Sequence, residues 1–256
     1  LDVYGSYFKY ICKKKAFLKS LVIIPTYNEN LNIERLLRNI FSQQRKFDVL
    51  VVDDNSPDGT AATVKFLMEE FPDQLFIEER QGKLGLGTAY IHGFKWALKR
   101  DYNLIFEMDA DFSHNPNDLH RLYNACVKQQ ADLAIGSRYV TGVNVVNWPM
   151  SRVLLSYIAS KYVRFITGMN IHDTTAGFVC YTRNVLETID LDKIAFVGYA
   201  FQIEMKFKAY LKKFKIVEVP VIFTDRTKGE SKMSGNIIYE AVFGVFKMKF
   251  KSLFKK

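Results

Sequence analysis

The sequence has few cysteines and no long apolar run, and both absences restrict the class of protein. Three cysteines occur among 256 residues, at positions 12, 126 and 180, without the spacing of a zinc site or a disulfide framework. This usage is typical of a reducing, cytoplasmic compartment. No apolar stretch reaches the roughly 18 to 20 residues that a membrane-spanning helix needs. The sequence therefore predicts a soluble or peripheral protein.

The common nucleotide-binding and nucleic-acid-binding signatures are also missing. Residues 82–89, GKLGLGTA, lack the glycine spacing of a dinucleotide fold and the ending of a P-loop. The four histidines share no metal-ligand spacing, and neither an aromatic RNA-binding motif nor a recognition-helix pattern is present. We therefore expect no nucleic-acid partner, and we interpret residues 82–89 as a flexible loop before a helix.

The chain has a strong excess of basic residues, and the pattern of residue types along it predicts three parts. The net charge of +9 favours a polyanionic partner such as a nucleotide or an anionic membrane surface. Residues 1–20 are aromatic and then basic, the reverse of a signal peptide, and we treat them as a leader of uncertain role. Residues 21–235 form the predicted catalytic domain. Residues 236–256 predict a basic amphipathic helix that either lies in a membrane interface or packs on the domain.

Short apolar runs alternate with amphipathic segments between residues 21 and 135. The runs predict strands at 21–25, 49–53, 75–77, 104–108 and 133–135, and the intervening segments predict helices at 31–41, 60–71, 88–98 and 118–128. This repetition predicts an α/β fold with a mostly parallel central sheet flanked by helices. Ligands of such sheets bind at the carboxyl ends of the strands.

Acidic residues follow two of these predicted strands. Asp53 ends an apolar run, and a carboxylate in that position is costly unless a donor or cation meets it. Ribose hydroxyls, base N–H groups or a metal ion would serve, whereas Asp54 and Asp58 also suit a turn and a helix cap. Asp109 and Asp111 project to one side of a later strand end. Hard oxygen ligands of this kind suit Mg²⁺ or Mn²⁺ bound with a diphosphate, the alternative being a turn acid and a helix cap.

Two further groups of residues complete the predicted site. Pro25, Tyr27 and Glu29 follow the first strand, where they form either a simple strand-to-helix turn or a nucleobase pocket. Basic side chains follow the acidic half of the chain and are suited to phosphate oxygens: Arg138, Arg152, Arg226 and Lys232. The polar stretch at 224–232 predicts a mobile loop that grips phosphate.

Eight motifs, in order along most of the chain, resemble glycosyltransferase family 2. They are PTYNE, DDNSPDGT, GLGTAYIHG, MDADFSH, GSRY, DTTAGF, GYAFQIEM and DRTKGESK. Within that family the chain is most similar to polyprenyl-phosphate mannosyltransferases of the dolichyl-phosphate type. The resemblance implies a GT-A fold and inverting transfer of mannose from GDP-mannose to a membrane polyprenyl phosphate.

The resemblance also implies roles for individual residues. Donor binding falls to Pro25, Tyr27, Glu29, Asp53, Asp109, Asp111, Arg226 and Lys232; the acceptor phosphate to Arg138 and Arg152; catalysis to Asp109, Asp111 and Arg138; and the metal to Asp109 and Asp111. Ser113 replaces a glutamine that is a further metal ligand in some members, which puts a third protein ligand in doubt. The expected location is the cytoplasmic face of a membrane, reached through the terminal helix or a membrane-protein partner.

Three alternatives remain open at this stage. The donor could be UDP-glucose, the acceptor could be a soluble glycan as in other family 2 enzymes, or the chain could be a non-catalytic nucleotide-binding subunit. The intact acidic pair and the basic residues argue against the last of these.

Overall fold

A computed structural model describes residues 18–198, 200–225 and 236–253, with the side chains of 236–242 and 253 left undescribed. One seven-stranded sheet runs through this part of the chain. Its strands are β1 (Ser20–Thr26), β2 (Asp48–Asp53), β3 (Leu75–Glu79), β4 (Leu104–Glu107), β5 (Leu133–Ser137), β7 (Val179–Thr182) and β8 (Ile216–Pro220). Across the sheet they lie in the order β3-β2-β1-β4-β7-β5-β8. Two short strands, β6 (Val145–Val146) and β9 (Phe223–Thr224), pair beside it.

Helices cover both faces of the sheet. They are α1 (Asn30–Phe41), α2 (Thr60–Met68), α3 (Leu86–Leu98), α4 (Leu119–Lys128), α5 (Met150–Thr167), α6 (Arg183–Thr188), α7 (Ala200–Leu211) and α8 (Asn236–Leu253). Apolar residues at helical spacing bury α1, α2 and α4 on one face, while α3 and α5 to α8 enclose the core on the other. Two hydrophobic cores thus lie back to back across the strands.

The five predicted strands and the mostly parallel arrangement are confirmed. In the seven-stranded sheet of the described residues, only β7 runs antiparallel, between β4 and β5. The sequence did not predict this strand, because four residues without alternation give no signal of where they insert. Since β7 runs in the opposite direction, the segment that leads into it, residues 172–178, lies at the same sheet edge as the carboxyl ends of β1, β2, β4 and β5.

Close packing of α3 on β1 requires a glycine at position 93. A Cβ atom there would lie 2.7 Å from Cγ2 of the buried Ile23. We expect Gly93→Ala to lower the free energy of unfolding by about 1–3 kcal/mol, because a packed core resists an added methyl group. Chemical denaturation of Gly82→Ala is the matched control, since a Cβ at Gly82 meets no atom within 4 Å. Equal stability of the two variants would contradict this packing argument.

Within the described residues, no helix combines the length and hydropathy needed to cross a bilayer.

Candidate active site

The predicted donor residues lie where β1 and β2 end. Tyr27 follows β1, and the Lys83 ammonium lies 5.0 Å from the centre of its ring. Glu29 is buried beside α1 and accepts a hydrogen bond from the Asn32 side chain at 3.1 Å. An aromatic ring with a carboxylate close by offers a stacking surface and a hydrogen-bond acceptor, which together suit a nucleobase.

Asp53 ends β2 next to Thr26 of β1, and other side chains already hold its carboxylate. The residue is fully buried and accepts hydrogen bonds from the Thr26 hydroxyl at 2.7 Å, the Ser56 hydroxyl at 2.6 Å and the Ser56 amide at 2.8 Å. These bonds supply the donors that a buried carboxylate requires. In this structure Asp53 fixes the loop after β2, and its contact with a nucleoside stays a prediction.

The other two acids of the DDNSPDGT motif organise loops. Asp54 forms a buried ion pair with Arg80 at 2.5 Å and accepts a hydrogen bond from the Leu84 amide at 3.3 Å, which joins it to the 82–89 segment. Asp58 accepts hydrogen bonds from the amides of Asn30 and Thr60, the first residues of α1 and α2, both at 3.0 Å. Asp58 therefore caps two helices, one more than the sequence predicted.

The two acids after β4 lie together in a cleft. Asp109 is partly exposed and accepts a hydrogen bond from the buried Tyr90 hydroxyl at 3.4 Å. Asp111 is buried and accepts hydrogen bonds from the Ser113 amide at 3.0 Å and from the Ser113 hydroxyl. Phe112 between them adopts a φ of +62°, a left-handed conformation that is rare for a side chain of this size. The backbone turn thus brings both carboxylates into the same cleft.

Arg138 lies across the cleft and is held in place by a buried carboxylate. Its Nε and Nη2 atoms donate to the two oxygens of Asp173 at 2.7 and 2.6 Å, and Nη2 also donates to the Thr175 hydroxyl at 2.9 Å. Although burial favours the neutral acid, Arg138 holds the pKa of Asp173 below its ordinary value. The ion pair fixes the direction of the guanidinium, which lines the cleft.

Arg152 contributes a second cation to the same cleft. Its guanidinium lies 4.1 Å from the centre of the Trp148 ring and donates to Asp225 at 2.9 Å. Asp225 is the last described residue before a gap in the described chain. Arg226 and Lys232 fall outside the described residues, so their predicted phosphate contacts stay predictions.

The cleft has a volume of about 400 Å³, and one wall of it is apolar. Its lining includes four charged residues, Asp109, Asp111, Arg138 and Arg152. One face of α5 supplies the apolar wall with Leu155, Ile158, Ala159, Tyr162 and Val163. Such a cleft suits a ligand that joins an anionic group to a hydrocarbon chain.

His114, for which the histidine spacing indicated no metal role, is buried and lines the cleft. The Asp109 amide donates to its Nδ1 atom at 3.2 Å, and its ring stacks on Phe178 with the centres 5.0 Å apart. Burial lowers the pKa of His114 to about 4, so the ring is neutral at pH 7. With Nδ1 accepting, Nε2 carries the proton. His114 shapes the backbone between the two acids, a role that its position in the motif alone does not show.

The residues present can hold a divalent cation only together with a ligand. No group of three histidine, cysteine, aspartate or glutamate side chains forms a metal cage among the described residues. Two carboxylates at one end of a cleft are instead suited to a hard cation that takes its remaining oxygens from a diphosphate and water. The donor set therefore fits Mg²⁺ or Mn²⁺ carried in with a nucleotide.

The mostly parallel sheet, with an acidic pair and two arginines in a cleft at its edge, agrees with the GT-A glycosyltransferase that the motifs indicate. The chain belongs to glycosyl transferase family 2, whose model matches residues 21–190. This confirms the enzyme class and the fold that the motifs indicate.

Named relatives are similar over most of the chain. It is 49% identical to the polyprenol monophosphomannose synthase of Mycolicibacterium smegmatis, over 89% of this chain and 85% of that protein. It is 46% identical to the undecaprenyl-phosphate mannosyltransferase of Micrococcus luteus, over 89% and 93%. The dolichol-phosphate mannosyltransferase of Pyrococcus furiosus is 37% identical, over 90% of this chain and 64% of that protein.

Solved structures share the fold at low identity. A mannosyltransferase from Pyrobaculum calidifontis in complex with GDP-mannose and Mn²⁺ gives a TM-score of 0.60 at 18% identity, over 99% of this chain and 71% of that one. Glucosyl-3-phosphoglycerate synthase from Mycobacterium tuberculosis with Mn²⁺ and UDP gives 0.65 at 15% identity, over 93% and 80%. These likenesses support the fold.

Proposed function

We propose that this enzyme transfers mannose from GDP-mannose to a polyprenyl monophosphate, with inversion at the anomeric carbon. The observation that carries the proposal is the cleft, in which the acidic pair and two arginines lie beside an apolar wall from α5. A polyprenyl phosphate has the same division into an anionic head and a hydrocarbon chain. The names of the three relatives support the same acceptor class and the same sugar.

Asp109 and Asp111 would hold Mg²⁺ or Mn²⁺. When bound, the cation supplies positive charge to the diphosphate leaving group. Asp111 is kept rigid by Ser113, while Asp109 is the more exposed of the two. Tyr27 and Glu29 would hold the guanine, with Pro25 and Asp53 shaping the pocket, and Arg226 and Lys232 would contact the donor phosphates.

The acceptor phosphate is already anionic at neutral pH, so the enzyme needs no strong base. Arg138 and Arg152 would bind this phosphate and direct one of its oxygens at the anomeric carbon. The new carbon–oxygen bond forms as the bond from that carbon to the diphosphate breaks, and GDP leaves with the electron pair. The buried Asp173 keeps Arg138 oriented throughout, which provides charge stabilisation without reorganisation.

The purified chain, supplied with a short polyprenyl phosphate and Mg²⁺ or Mn²⁺, tests the function directly. GDP-mannose and UDP-glucose are offered in parallel, and the lipid-linked sugar is measured by mass spectrometry. We expect mannosyl phosphate lipid that disappears with EDTA. A glucosyl product would show that the donor is UDP-glucose instead of GDP-mannose, while transfer only to a soluble glycan would show that the acceptor is not a polyprenyl phosphate. Binding of GDP without turnover of any sugar nucleotide would indicate a non-catalytic subunit.

The lipid acceptor implies contact with a membrane surface, and two helices support a peripheral, cytoplasmic-face location. Phe165 near the end of α5 is 87% exposed and lines the same surface as the basic Lys161 and Arg164. On α8, Val245 is buried and Phe250 is 63% exposed. The terminal helix therefore combines the two predicted arrangements, with one side on the core and the other available to a bilayer.

Exposed aromatic side chains on α5 and α8 lead to a binding prediction. We expect Phe165→Ser with Phe250→Ser to weaken binding to vesicles of anionic phospholipid by at least about 10-fold, because burying one such ring contributes about 1.5–3 kcal/mol. Sedimentation with vesicles measures the effect. Phe66→Ser on α2 is the matched control, since that ring is 63% exposed on the opposite face of the sheet. Equal losses in the two proteins would contradict this orientation.

A further inference from the structure

A buried lysine on α7 lies beneath the cleft, and the proposed mechanism does not use it. Lys206 is fully buried, and its ammonium donates to the Ala176 carbonyl at 2.6 Å, the Gln202 carbonyl at 3.3 Å and the Gln202 side-chain oxygen at 3.2 Å. Burial lowers its pKa to about 8, although Glu107 opposes that shift. A buried ammonium costs several kcal/mol unless its partners compensate, so an apolar side chain would suit the core better.

Gln202 joins Lys206 to the strand that carries the acidic pair. Its side-chain nitrogen donates to Glu107 at 2.8 Å, while its side-chain oxygen accepts from Lys206. Glu107 ends β4, two residues before Asp109. The three side chains therefore form a polar strut, Glu107–Gln202–Lys206, which begins at the acidic strand end.

The other end of this strut supports the segment that holds Arg138. Ala176, whose carbonyl accepts from Lys206, lies between Thr175 and Gly177, and all three line the cleft. Three residues earlier, Asp173 forms the ion pair with Arg138. Any displacement of Ala176 is thus transmitted along a few bonds to the guanidinium.

We propose that Lys206 is a positioning residue, which acts through Ala176 and the polar strut to set the spacing between the acidic pair and Arg138. The inference rests on the proposed function, because that spacing separates the donor diphosphate from the acceptor phosphate. Misplacing reacting groups by about 1 Å can cost 10²-fold in rate. Charge neutralisation of Glu107 alone would not require a bond to the Ala176 carbonyl.

A double variant separates positioning from charge neutralisation. Lys206→Met leaves Gln202 and the buried Glu107 without the ammonium that completes the strut, so this variant alone could fail to fold. Combining Lys206→Met with Glu107→Gln removes both ionisable groups and keeps the approximate shape of both side chains, a change that is often neutral or stabilising. The Ala176 carbonyl still loses its donor in the double variant.

We expect the double variant to lose about 10- to 100-fold in kcat/KM for polyprenyl phosphate, with KM for GDP-mannose unchanged. Amide hydrogen exchange of residues 173–178, measured without substrate, should accelerate. Lys208→Met is the matched control on the same helix, because the Lys208 ammonium bonds to the Lys193 carbonyl and to Glu204, away from the cleft.

The two readouts distinguish failure of this inference from failure of the proposed function. If the folded double variant kept the native kcat/KM for polyprenyl phosphate and the native amide hydrogen exchange of residues 173–178, the proposed role of Lys206 would be overturned. If the native chain forms no mannosyl lipid, the proposed function fails, and the exchange of residues 173–178 still decides whether Lys206 positions them.

Discussion

Replacing Asp109 by asparagine is expected to reduce mannosyl transfer by on the order of 10³-fold while leaving thermal unfolding nearly unchanged. The Asp109 carboxylate faces the cleft and is 36% exposed, so the fold does not depend on its charge. Asparagine keeps the shape but removes the negative charge that would hold a divalent cation against the diphosphate. Initial rates with saturating GDP-mannose, together with a melting curve, measure both effects.

Asp101→Asn is the matched control for this experiment. Asp101 lies before the start of the same strand, at the opposite edge of the sheet, where it is 82% exposed and paired with Lys19 at 3.1 Å. We expect native activity from this variant. If Asp109→Asn retained a tenth or more of the native rate, or lost its fold, the catalytic role of the acidic pair would be rejected.

Removing the carboxylate of Asp173 is expected to lower the free energy of unfolding by about 3–5 kcal/mol, because Arg138 would be left as an uncompensated buried charge. Urea denaturation of Asp173→Ala measures the loss. The exposed pair of Arg38 and Glu70, joined at 2.7 Å, supplies the control, and Glu70→Ala should lower the free energy of unfolding far less. If the two variants lost similar free energies of unfolding, the buried ion pair would stabilise the protein no more than the exposed one.

The pH dependence of this difference has a defined sign. The pKa of Asp173 is lowered in the folded protein, so the pair contributes its full stability above the unfolded pKa of about 3.9. That contribution is lost as the pH falls through the lower, folded pKa. The difference in the free energy of unfolding between the native protein and Asp173→Ala should therefore stay constant from pH 7 to about 5 and become smaller in stronger acid.

Local patterns were sufficient to predict that Tyr27, Asp53 and Asp109 lie at one edge of the sheet, where we propose that the donor binds. Each of the strands that precede them is a contiguous apolar run, and their parallel pairing brings the three residues to the same edge. The direction of individual side chains was not predictable in the same way. The buried carboxylate of Asp53 is held by hydrogen bonds from Thr26 and Ser56, and no spacing pattern in the sequence predicts these two contacts.

The side of the cleft that contains Arg138 was harder to predict, because its contacts join residues that are distant in sequence. Arg138 contacts Asp173 across 35 residues, and Gln202 contacts Glu107 across 95. Asp173 reaches Arg138 because the segment that contains it leads into the antiparallel strand β7, whose direction no alternation or turn signal predicts. The motifs DTTAGF and FQIEM showed that these segments are similar to the family. Which side chains their polar residues contact could be seen only in the three-dimensional structure.

The strand order also has a consequence for how the chain assembles. Strands β1, β2 and β3 find their partners among residues 20–107, whereas β4 pairs there with β1 and on its other side with the later β7. Within the described residues, β5 pairs with β7 and β8, which are both synthesised later. The second side of β4 therefore stays unpaired until residues 179–182 have been made. During synthesis, the strand ends that precede Tyr27 and Asp54 are thus available before the cleft that contains Arg138 can close.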